Sequence, residues 1–471
     1  MRGYGRSALR GTAGRVGRLA PRRTRFLALA LLLTLAGCAD GAGRETRAEP
    51  GVELTILHVN DLHARLLPDS RGAGGFAYLA TVLEREREAA PAHLTLHAGD
   101  MVQGTPVSTL FEGVPIFEVA DLLGLDVHCL GNHEFDYGWE RIPEYVEVSS
   151  FATVSANLTD AAGNTLVPPY VVRQVGELRV AVVGAITEDL LDVLQSSSLG
   201  PWRSAPLVAT LAPVVKAAAA EADMVVVLGH LSGGEAEVIL EALPQVAVIV
   251  QGHPHRAWDA ALEIDGRIAV NASGYGRDVG RLRLRYDPGT RRILEYDWEV
   301  VPVVAANVRP DPAVERLIAE WESRAADLVD VPIGRATSVI EGEELKALIE
   351  TVMRDGTGAE LAHMNRGGIR DILPEGELLA RHVWNATPFG NTVVTTEISG
   401  RRLIEMHETV LQREPIAGYA SLDPDRQYRL VTIDFRAGQW RDRGVDLQWT
   451  DTGVLLRDMI IAWIAARESV P

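Results

Sequence analysis

Short apolar runs alternate with stretches of helical periodicity over the first half of the chain. The runs that predict buried strands cover residues 54–59, 94–97, 127–130, 180–183, 224–228 and 246–250. Between them, apolar residues recur at helical spacing in residues 76–89, 115–123, 213–222 and 235–242. Alternation of this kind predicts an α/β architecture in which helices cover buried strands. Residues 281–303 read as strands without helices, so we expect the sheet to end there.

A further helical pattern separates this region from the rest of the chain. It starts after two prolines and places apolar residues at positions 314, 317, 318, 321, 325 and 328. We therefore predict a linker helix within residues 305–330, between a first domain over residues 51–304 and a second α/β domain over residues 331–471. A chain of 471 residues is long enough for two domains of ordinary size.

The balance of charges limits the classes of partner that the protein can bind. The chain carries 64 acidic and 46 basic residues, a formal net charge of −18. Eight arginines lie in the first 37 residues, which hold no Asp or Glu, so the remainder has 38 basic residues and a net charge of −26. Nucleic-acid binding needs the opposite sign of charge, and we expect none. An acidic protein that binds phosphate groups needs metal ions or a local arginine cluster.

The N-terminus has the pattern of an export signal. Its arginines precede a ten-residue apolar run, residues 26–35, which is too short to span a bilayer and fits the core of a signal peptide. The run ends at Leu35-Ala36-Gly37-Cys38, which resembles a bacterial lipobox. We therefore predict a signal peptide over residues 1–37, lipidation of Cys38 and a polar tether up to residue 50. The protein is then exported to the periplasm or cell surface and held at a membrane by the lipid alone.

Other interpretations of this segment stay open. An ordinary signal peptide followed by a chance cysteine would give a similar pattern. The pair Arg22-Arg23 also occurs in twin-arginine signals, so the route of export is undecided. The second cysteine, Cys129, lies in a predicted strand and is expected to be a buried apolar residue. Two cysteines allow at most one bridge, so no disulfide framework is indicated.

Side chains that can bind metal ions follow five of the predicted strands. Ligand sites in α/β sheets form outside the carboxyl ends of the strands, which suggests that these side chains meet. They are Asp61 and His63, Asp100, Asn132 with His133 and Asp136, His230, and the pair His253 and His255. Imidazole and carboxylate ligands suit Zn, Mn, Fe or Co, and two ions ~3.5–4 Å apart can bind both an attacking hydroxide and the phosphoryl oxygens. We therefore predict two divalent metal ions, although Asp61 or Asn132 taken alone could equally be a loop cap.

Nearby polar residues are expected to be structural. His97 and His128 lie inside predicted strands and are interpreted as packed core histidines. Glu134 is expected to point away from the metal ions. Glycines at positions 99, 131 and 252 allow the backbone to turn tightly beside the predicted ligands.

The order of these motifs resembles the metallophosphoesterase domain of bacterial and animal 5′-nucleotidases. The matching segments are Asp61-Leu62-His63, Gly99-Asp100, Gly131-Asn132-His133-Glu134-Phe135-Asp136, Gly229-His230 and Gly252-His253-Pro254-His255. The resemblance implies an α/β (α+β) fold: a four-layer β-sandwich flanked by helices, followed by a smaller α/β domain.

The same resemblance assigns roles to the residues. It implies one metal ion held by Asp61, His63, Asp100 and His255, and a second held by Asp100, Asn132, His230 and His253. It also implies that His133 faces the phosphate and that Asp136 orients its ring. The residue types alone favour the same roles for His133 and Asp136, because a histidine paired with a carboxylate is a common acid–base arrangement. Many relatives have Gln at the position of His255, and either residue can bind a metal.

The second domain resembles the family's substrate domain in part. Asn365-Arg366-Gly367-Gly368-Ile369-Arg370 resembles its substrate-binding loop, which implies that Arg366 and Arg370 bind the phosphate. Relatives hold the base between two aromatic rings, and Phe435 matches one of them. The loop that supplies the other ring is missing after the helix predicted over residues 400–412. Trp440 is either a substitute platform or a core residue.

The metal-ligand motifs, the family resemblance and the N-terminal pattern together predict a metal-dependent hydrolase that acts on nucleotide phosphoesters outside the cytoplasm. A metal-activated hydroxide attacks phosphorus, with His133 and Asp136 assisting, and nucleoside 5′-monophosphates are the first expected substrates. The altered base pocket leaves a UDP-sugar or 2′,3′-cyclic nucleotide hydrolase, or a sulfur-compound hydrolase of the same superfamily, as alternatives. A catalytically inactive surface binding protein is the non-enzymatic alternative. The sequence indicates no oligomeric state.

Overall fold

The computed structural model describes residues 51–194, 196–411 and 415–470. The predicted signal peptide, Cys38 and the tether lie outside these residues, so they stay predictions. Within the described ranges, no helix combines the length and the apolar character that crossing a bilayer requires.

Strands of the described residues fall into a long N-terminal series and a shorter C-terminal series. The N-terminal series is β1 (Val52–Val59), β2 (His93–His97), β3 (Val127–Cys129), β4 (Ala152–Val154), β5 (Leu158–Thr159), β6 (Tyr170–Val175), β7 (Leu178–Ile186), β8 (Arg203–Ser204), β9 (Met224–His230), β10 (Val248–Gly252), β11 (Leu262–Ile264), β12 (Arg267–Asn271), β13 (Asp278–Asp287) and β14 (Arg292–Pro302). The C-terminal series is β15 (Pro332–Ala336), β16 (Leu361–Ala362), β17 (Gly376–Leu379), β18 (Thr392–Ser399), β19 (Gln427–Ile433), β20 (Thr450–Leu455) and β21 (Ser469–Val470).

Helices of the described residues are interspersed with these strands along the whole chain. They are α1 (Phe76–Glu88), α2 (Pro106–Leu110), α3 (Val114–Asp121), α4 (Ile142–Glu147), α5 (Leu190–Val193), α6 (Ser196–Leu199), α7 (Leu207–Glu221), α8 (Glu235–Ala242), α9 (Pro312–Val329), α10 (Gly342–Thr357), α11 (Ala380–Ala386), α12 (Gly400–Thr409), α13 (Asp434–Asp442) and α14 (Leu456–Ala465).

Two six-stranded sheets form the framework of the N-terminal part. The first has the strand order β14-β13-β1-β2-β3-β4, and the second has the order β11-β12-β10-β9-β7-β6. In the first sheet β1 to β4 are parallel, while β13 and β14 are antiparallel neighbours added at its edge. In the second sheet β7, β9, β10 and β12 are parallel. The carboxyl ends of β1, β2 and β3, and those of β9 and β10, are therefore where the predicted ligands follow.

The packing of the two sheets gives a four-layer sandwich. One buried cluster joins side chains of both sheets, such as Ile56 of β1 and Val226 of β9. The outer face of the first sheet packs on α1, α3 and α9, and the outer face of the second sheet packs on α7 and α8. Helices therefore cover both outer faces of a double sheet. This arrangement confirms the predicted fold class.

The helix predicted over residues 213–222 begins earlier than expected. In the structure α7 starts at Leu207 and contains Pro213 in its interior. A proline inside a helix removes one backbone hydrogen bond, which is why the sequence pattern placed the helix start there. Leu207, Leu211 and Val215 are buried at helical spacing against the second sheet. Their burial offsets the cost of the proline, and this contribution is visible only in the tertiary structure.

The predicted linker helix is present as α9. The side chain of Asp311 accepts hydrogen bonds from the backbone N–H groups of Ala313 and Val314, and Pro312 occupies the first turn. Residues 49–471 group into one compact unit. The division of that unit into domains at residues 304 and 330 stays a prediction.

The C-terminal part contains a four-stranded sheet, β16-β19-β18-β20, and a three-stranded sheet, β17-β15-β21. Trp440 of α13 is fully buried there and packs in a cluster with Leu361, Leu403 and Met406. Of the two interpretations of Trp440, the core residue is therefore correct. The ring is inaccessible to a substrate because other side chains enclose it.

Trp440→Ala is expected to lower the free energy of unfolding by about 3–5 kcal/mol, because it leaves a cavity in a closed cluster. Urea unfolding followed by circular dichroism measures the change. Trp463→Ala removes a half-buried ring and is the matched control, with a smaller expected loss. Equal losses in the two variants would contradict the core assignment of Trp440.

Candidate metal centre and active site

Seven predicted metal ligands meet at the carboxyl ends of the central strands. Asp61 and His63 follow β1, Asp100 follows β2 and Asn132 follows β3, while His230 ends β9 and the pair of histidines follows β10. Five of the side chains are at most 2% exposed; the exceptions are the last two, His253 and His255. The sequence pattern thus predicted residues that the fold brings together.

The first group consists of Asp61, His63, Asp100 and His255. One ligand-type atom from each lies within 4.8 Å of all the others. The Nε2 atoms of His63 and His255 are 3.0 Å apart, and the His255 Nε2 atom is 3.3 Å from an Asp61 carboxylate oxygen. Two nitrogens and two carboxylates therefore converge on one small volume.

The second group shares Asp100 with the first. The Asp100 Oδ2 atom is 3.1 Å from His230 Nε2, which is also 3.1 Å from His253 Nδ1. The Asn132 side-chain oxygen approaches the same His230 nitrogen at 3.1 Å. Asp100 stands between the two groups, as a carboxylate that bridges two ions would.

The donor set fits two divalent cations. In each group two imidazole nitrogens lie 3.0 or 3.1 Å apart, so the lone pairs of two neutral rings can be directed at one cation. Burial holds the pKa of His63 well below its usual range and lowers the pKa of His253 to about 4, so both are neutral, as metal ligands must be. Imidazole, carboxylate and amide oxygens are the donors that Zn and Mn accept.

Buried carboxylates set the electrostatics of the site. Burial alone would lower the pKa of His230, but the Asp100 carboxylate outweighs it and raises the pKa to about 10. Burial likewise opposes the ionisation of Asp100, yet His230 and His133 hold its pKa well below the usual range. The site therefore favours positive charge beside Asp100. Metal binding would displace the proton from His230.

The backbone at these ligands is strained. Asp61, His63, Asp100, His253 and His255 all have positive φ angles, between 46° and 91°. Such angles are uncommon for residues other than glycine, and the surrounding structure must compensate for their cost. The strain turns each side chain off the end of its strand toward the shared centre.

Glu134 supplies part of that compensation. Its carboxylate accepts hydrogen bonds from the backbone N–H groups of Asp100, Met101 and Gly131 at 2.6–3.0 Å. It is fully buried and ties the loop after β2 to the loop after β3. Gly131 lies so close to Asp100 that a Cβ atom would come within 2.3 Å of its carboxylate. The expectation that Glu134 is structural agrees with these contacts.

His133 stands beside the two groups with partners on both ring nitrogens. Its Nδ1 atom is 2.8 Å from the Asp136 carboxylate, and its Nε2 atom is 3.0 Å from Nη2 of Arg370 in the C-terminal part. Burial would lower the pKa of His133, but the charges of Asp136 and Asp100 raise it above its usual value. The geometry gives Asp136 the orienting position that the sequence predicted for it.

A cavity of about 830 Å³ opens in front of these residues and is lined by both parts of the chain. Arg366, Arg370 and Phe435, the predicted substrate residues, all line it. The side chain of Arg366 is 73% exposed and pairs with Glu343, whereas Arg370 reaches His133 directly. The two arginines therefore contribute unequally to the interior of the cavity.

Other candidate residues are placed elsewhere. Arg401 pairs with Asp425 and Arg402 with Glu405, and neither arginine lines the cavity. Within the described residues, these two arginines therefore make no contact with the candidate site. His97 and His128 are fully buried, with their Nδ1 atoms 3.0 Å apart, as core histidines should be.

One ring that faces the centre is not among the predicted site residues. Phe389 lines the cavity, and its ring centroid lies 6.0 Å from that of His133 and 5.4 Å from the Arg370 guanidinium. Residues 387–392 also resemble the family, and this resemblance is the signal that could have identified the ring. In the described residues, Tyr137 and Phe435 are the other Phe or Tyr side chains that line the cavity, and Tyr419 stacks on His407 outside it.

Comparisons with known proteins agree with this geometry. Residues 54–257 match the family described as calcineurin-like phosphoesterase, and residues 329–415 match the 5′-nucleotidase C-terminal domain. The chain is similar to Endonuclease YhcR of Bacillus subtilis, with 27% identity over 88% of this chain but only 37% of that protein's length. It is also similar to Protein UshA of Escherichia coli, with 25% identity over 88% of this chain and 90% of that protein.

Solved structures share the fold. The crystal structure of a 5′-nucleotidase precursor from Thermus thermophilus superposes with a TM-score of 0.81 at 24% identity, covering 89% of this chain and 97% of that one. Both family models match in the expected order, and the predicted ligands converge within the first match. The chain therefore belongs to the calcineurin-like metallophosphoesterases of the 5′-nucleotidase family, which are hydrolases.

Proposed function

We propose that the protein hydrolyses nucleotide phosphomonoesters, with nucleoside 5′-monophosphates as its first substrates. The observation that carries the proposal is the junction of His133 with Arg370, where a catalytic-type histidine and a phosphate-binding cation meet beside two metal-ligand groups. Nucleotides are proposed as the substrates because similar proteins are named 5′-nucleotidases.

The chain's own residues define a place for the phosphate. Bound ions in the two groups would polarise the phosphoryl oxygens and activate water at neutral pH. Arg370 approaches from the other side and can bind two phosphate oxygens with its planar guanidinium. His133 lies between them, and the hydrogen bond to Asp136 keeps Nε2 directed at the same point. From there His133 can donate a proton or a hydrogen bond to an oxygen whose charge grows during P–O cleavage.

The leaving group would extend toward α13. Phe435 follows β19 and lines that end of the cavity, where an aromatic ring can stack on a base. A second ring from the segment after α12 is not among the cavity-lining side chains of the described residues. We therefore propose that the enzyme binds the phosphate firmly and selects the base weakly.

The proposed location is outside the cytoplasm. It rests on the basic and apolar runs of residues 1–35 and on Cys38 in a lipobox-like segment. Export suits the substrate, because charged nucleotides cross membranes poorly. Lipid attachment through Cys38 can be tested by mass spectrometry of the N-terminal peptide.

His133→Ala is expected to lower the rate of phosphate release from AMP by a factor of about 10²–10⁴, because a positioned acid–base group contributes that much. The assay uses manganese- or zinc-loaded protein and a panel of AMP, UMP, UDP-glucose, 2′,3′-cyclic AMP and a sugar phosphate. EDTA should abolish release, and His93→Ala, at the remote start of β2, should leave it unchanged. Absence of metal-dependent release from every member of the panel would reject the proposed function.

Glu134→Ala is expected to weaken metal binding by about 10–100-fold, since supporting residues around a metal commonly contribute that much. The change leaves three buried N–H groups without their acceptor, including that of Asp100. Metal content after dialysis against graded chelator measures the effect. Unaltered metal retention would show that the strained loops hold their shape without Glu134.

Phe435→Ala is expected to raise the KM for AMP by about 5–100-fold while leaving the KM for ribose 5-phosphate unchanged, because the lost interaction is stacking on the base. Steady-state kinetics with both substrates separate the two effects. Trp440→Phe, in the same helix but buried away from the cavity, is the control. Equal changes with both substrates would remove Phe435 from the base site.

A further inference from the structure

We propose that Arg65 is a positioning residue that holds the substrate loop of the C-terminal part against His133. The inference deepens the proposed function, since it concerns the same site. Arg65 lies two residues after the predicted ligand His63, in the loop that follows β1. It belongs to none of the predicted ligand or substrate groups.

The guanidinium of Arg65 makes two directed contacts with the C-terminal part of the chain. Its Nη1 donates to the Asp371 carboxylate at 2.6 Å, and its Nη2 donates to the backbone carbonyl of Arg370 at 2.8 Å. The side chain of Arg65 is 15% exposed, so water screens these contacts little. One side chain of the N-terminal part thus holds Arg370, the last residue of the substrate-binding loop, and the next residue, Asp371.

The hydrogen bond from Arg65 fixes the position of the Arg370 backbone. With its carbonyl held by Arg65, the side chain of Arg370 extends to His133 at 3.0 Å and passes over the ring of Phe389. A long arginine side chain has many rotamers, and fixing its backbone reduces the number that reach the phosphate site. Arg65 therefore acts on the substrate through Arg370.

The other side of Arg65 faces the metal centre. Its guanidinium lies 5.4 Å from the ring centre of Tyr275, and that ring contacts both His63 and His255. The residue therefore spans from the aromatic cover of the predicted ligands to the substrate loop. This placement couples the two halves of the site through a single cation.

A second ion-pair group in the same fold lacks this connection. Arg381 of α11 pairs with Glu322 of α9 and with Asp330, yet none of the three lines the cavity. Like the Arg65 contact, this group pairs a mostly buried arginine with a carboxylate. Asp330→Ala is therefore a matched control for the general effect of losing an arginine–carboxylate pair.

The test is a double-mutant cycle on the manganese-loaded protein, with inorganic phosphate as the ligand in calorimetric titrations. Arg65→Ala is expected to weaken phosphate binding by about 10–100-fold, as misplacement of a positioning contact does. In the Arg370→Ala background the same change should have little further effect, because Arg65 acts through Arg370. Asp371→Ala should reproduce part of the loss without touching Tyr275, and Arg65→Lys should be intermediate. Asp330→Ala should bind phosphate as the unchanged protein does.

The inference would be overturned if Arg65→Ala weakened phosphate binding as much in the Arg370→Ala background as in the unchanged protein. It would also be overturned if Arg65→Ala changed the midpoint of unfolding and left phosphate binding unchanged. Loss of manganese on Arg65→Ala, with normal phosphate binding by Asp371→Ala, would also overturn it.

If the unchanged protein binds phosphate with this coupling but releases none from esters, the proposed function fails and the inference stands. If it hydrolyses esters without the coupling, the inference alone fails. Absence of phosphate binding by the unchanged protein overturns the inference, and the hydrolysis panel then decides the proposed function separately.

Discussion

Buried negative charge at the ends of the central strands is the constraint on which the rest of the structure depends. Asp100 is 1% exposed and can remain ionised only because imidazoles and, when bound, cations compensate its charge. Its position requires a left-handed backbone, an adjacent Gly131 and three N–H groups held by Glu134. The double sheet supplies the rigid base that makes such a strained arrangement possible.

The catalytic centre is completed only where the C-terminal part meets the strand ends. The N-terminal sheets present His133, while Arg370 arrives from a loop 237 residues further along the chain. In an acidic protein, the arginines that line the cavity supply local positive charge on one side, and metal ions bound by the predicted ligands would supply it on the other. Under the proposed function, Arg370 would bind the phosphate and Phe435 the leaving group, so the reduced aromatic lining would affect only the leaving group.

Much of the candidate site could be predicted because its residues follow a local rule. A ligand-type side chain after a buried apolar run lies at the carboxyl end of a strand, and parallel strands bring such ends together. The position of Phe389 beside His133 depends on tertiary packing, which no local pattern records. The sequence does not decide the environment of Trp440 for the same reason, since a tryptophan in a polar helix can face a cavity or a core.

By itself, the sequence determined the alternation of strands and helices, the identity of the predicted ligands and the family. These follow from periodicity and from motifs only a few residues long, which depend on short-range geometry. The tertiary structure alone decided that α7 continues through Pro213, that Arg65 contacts Asp371, and that Arg370 reaches His133. Each of these depends on contacts between residues far apart in the chain, and such contacts exist only once the layers have packed.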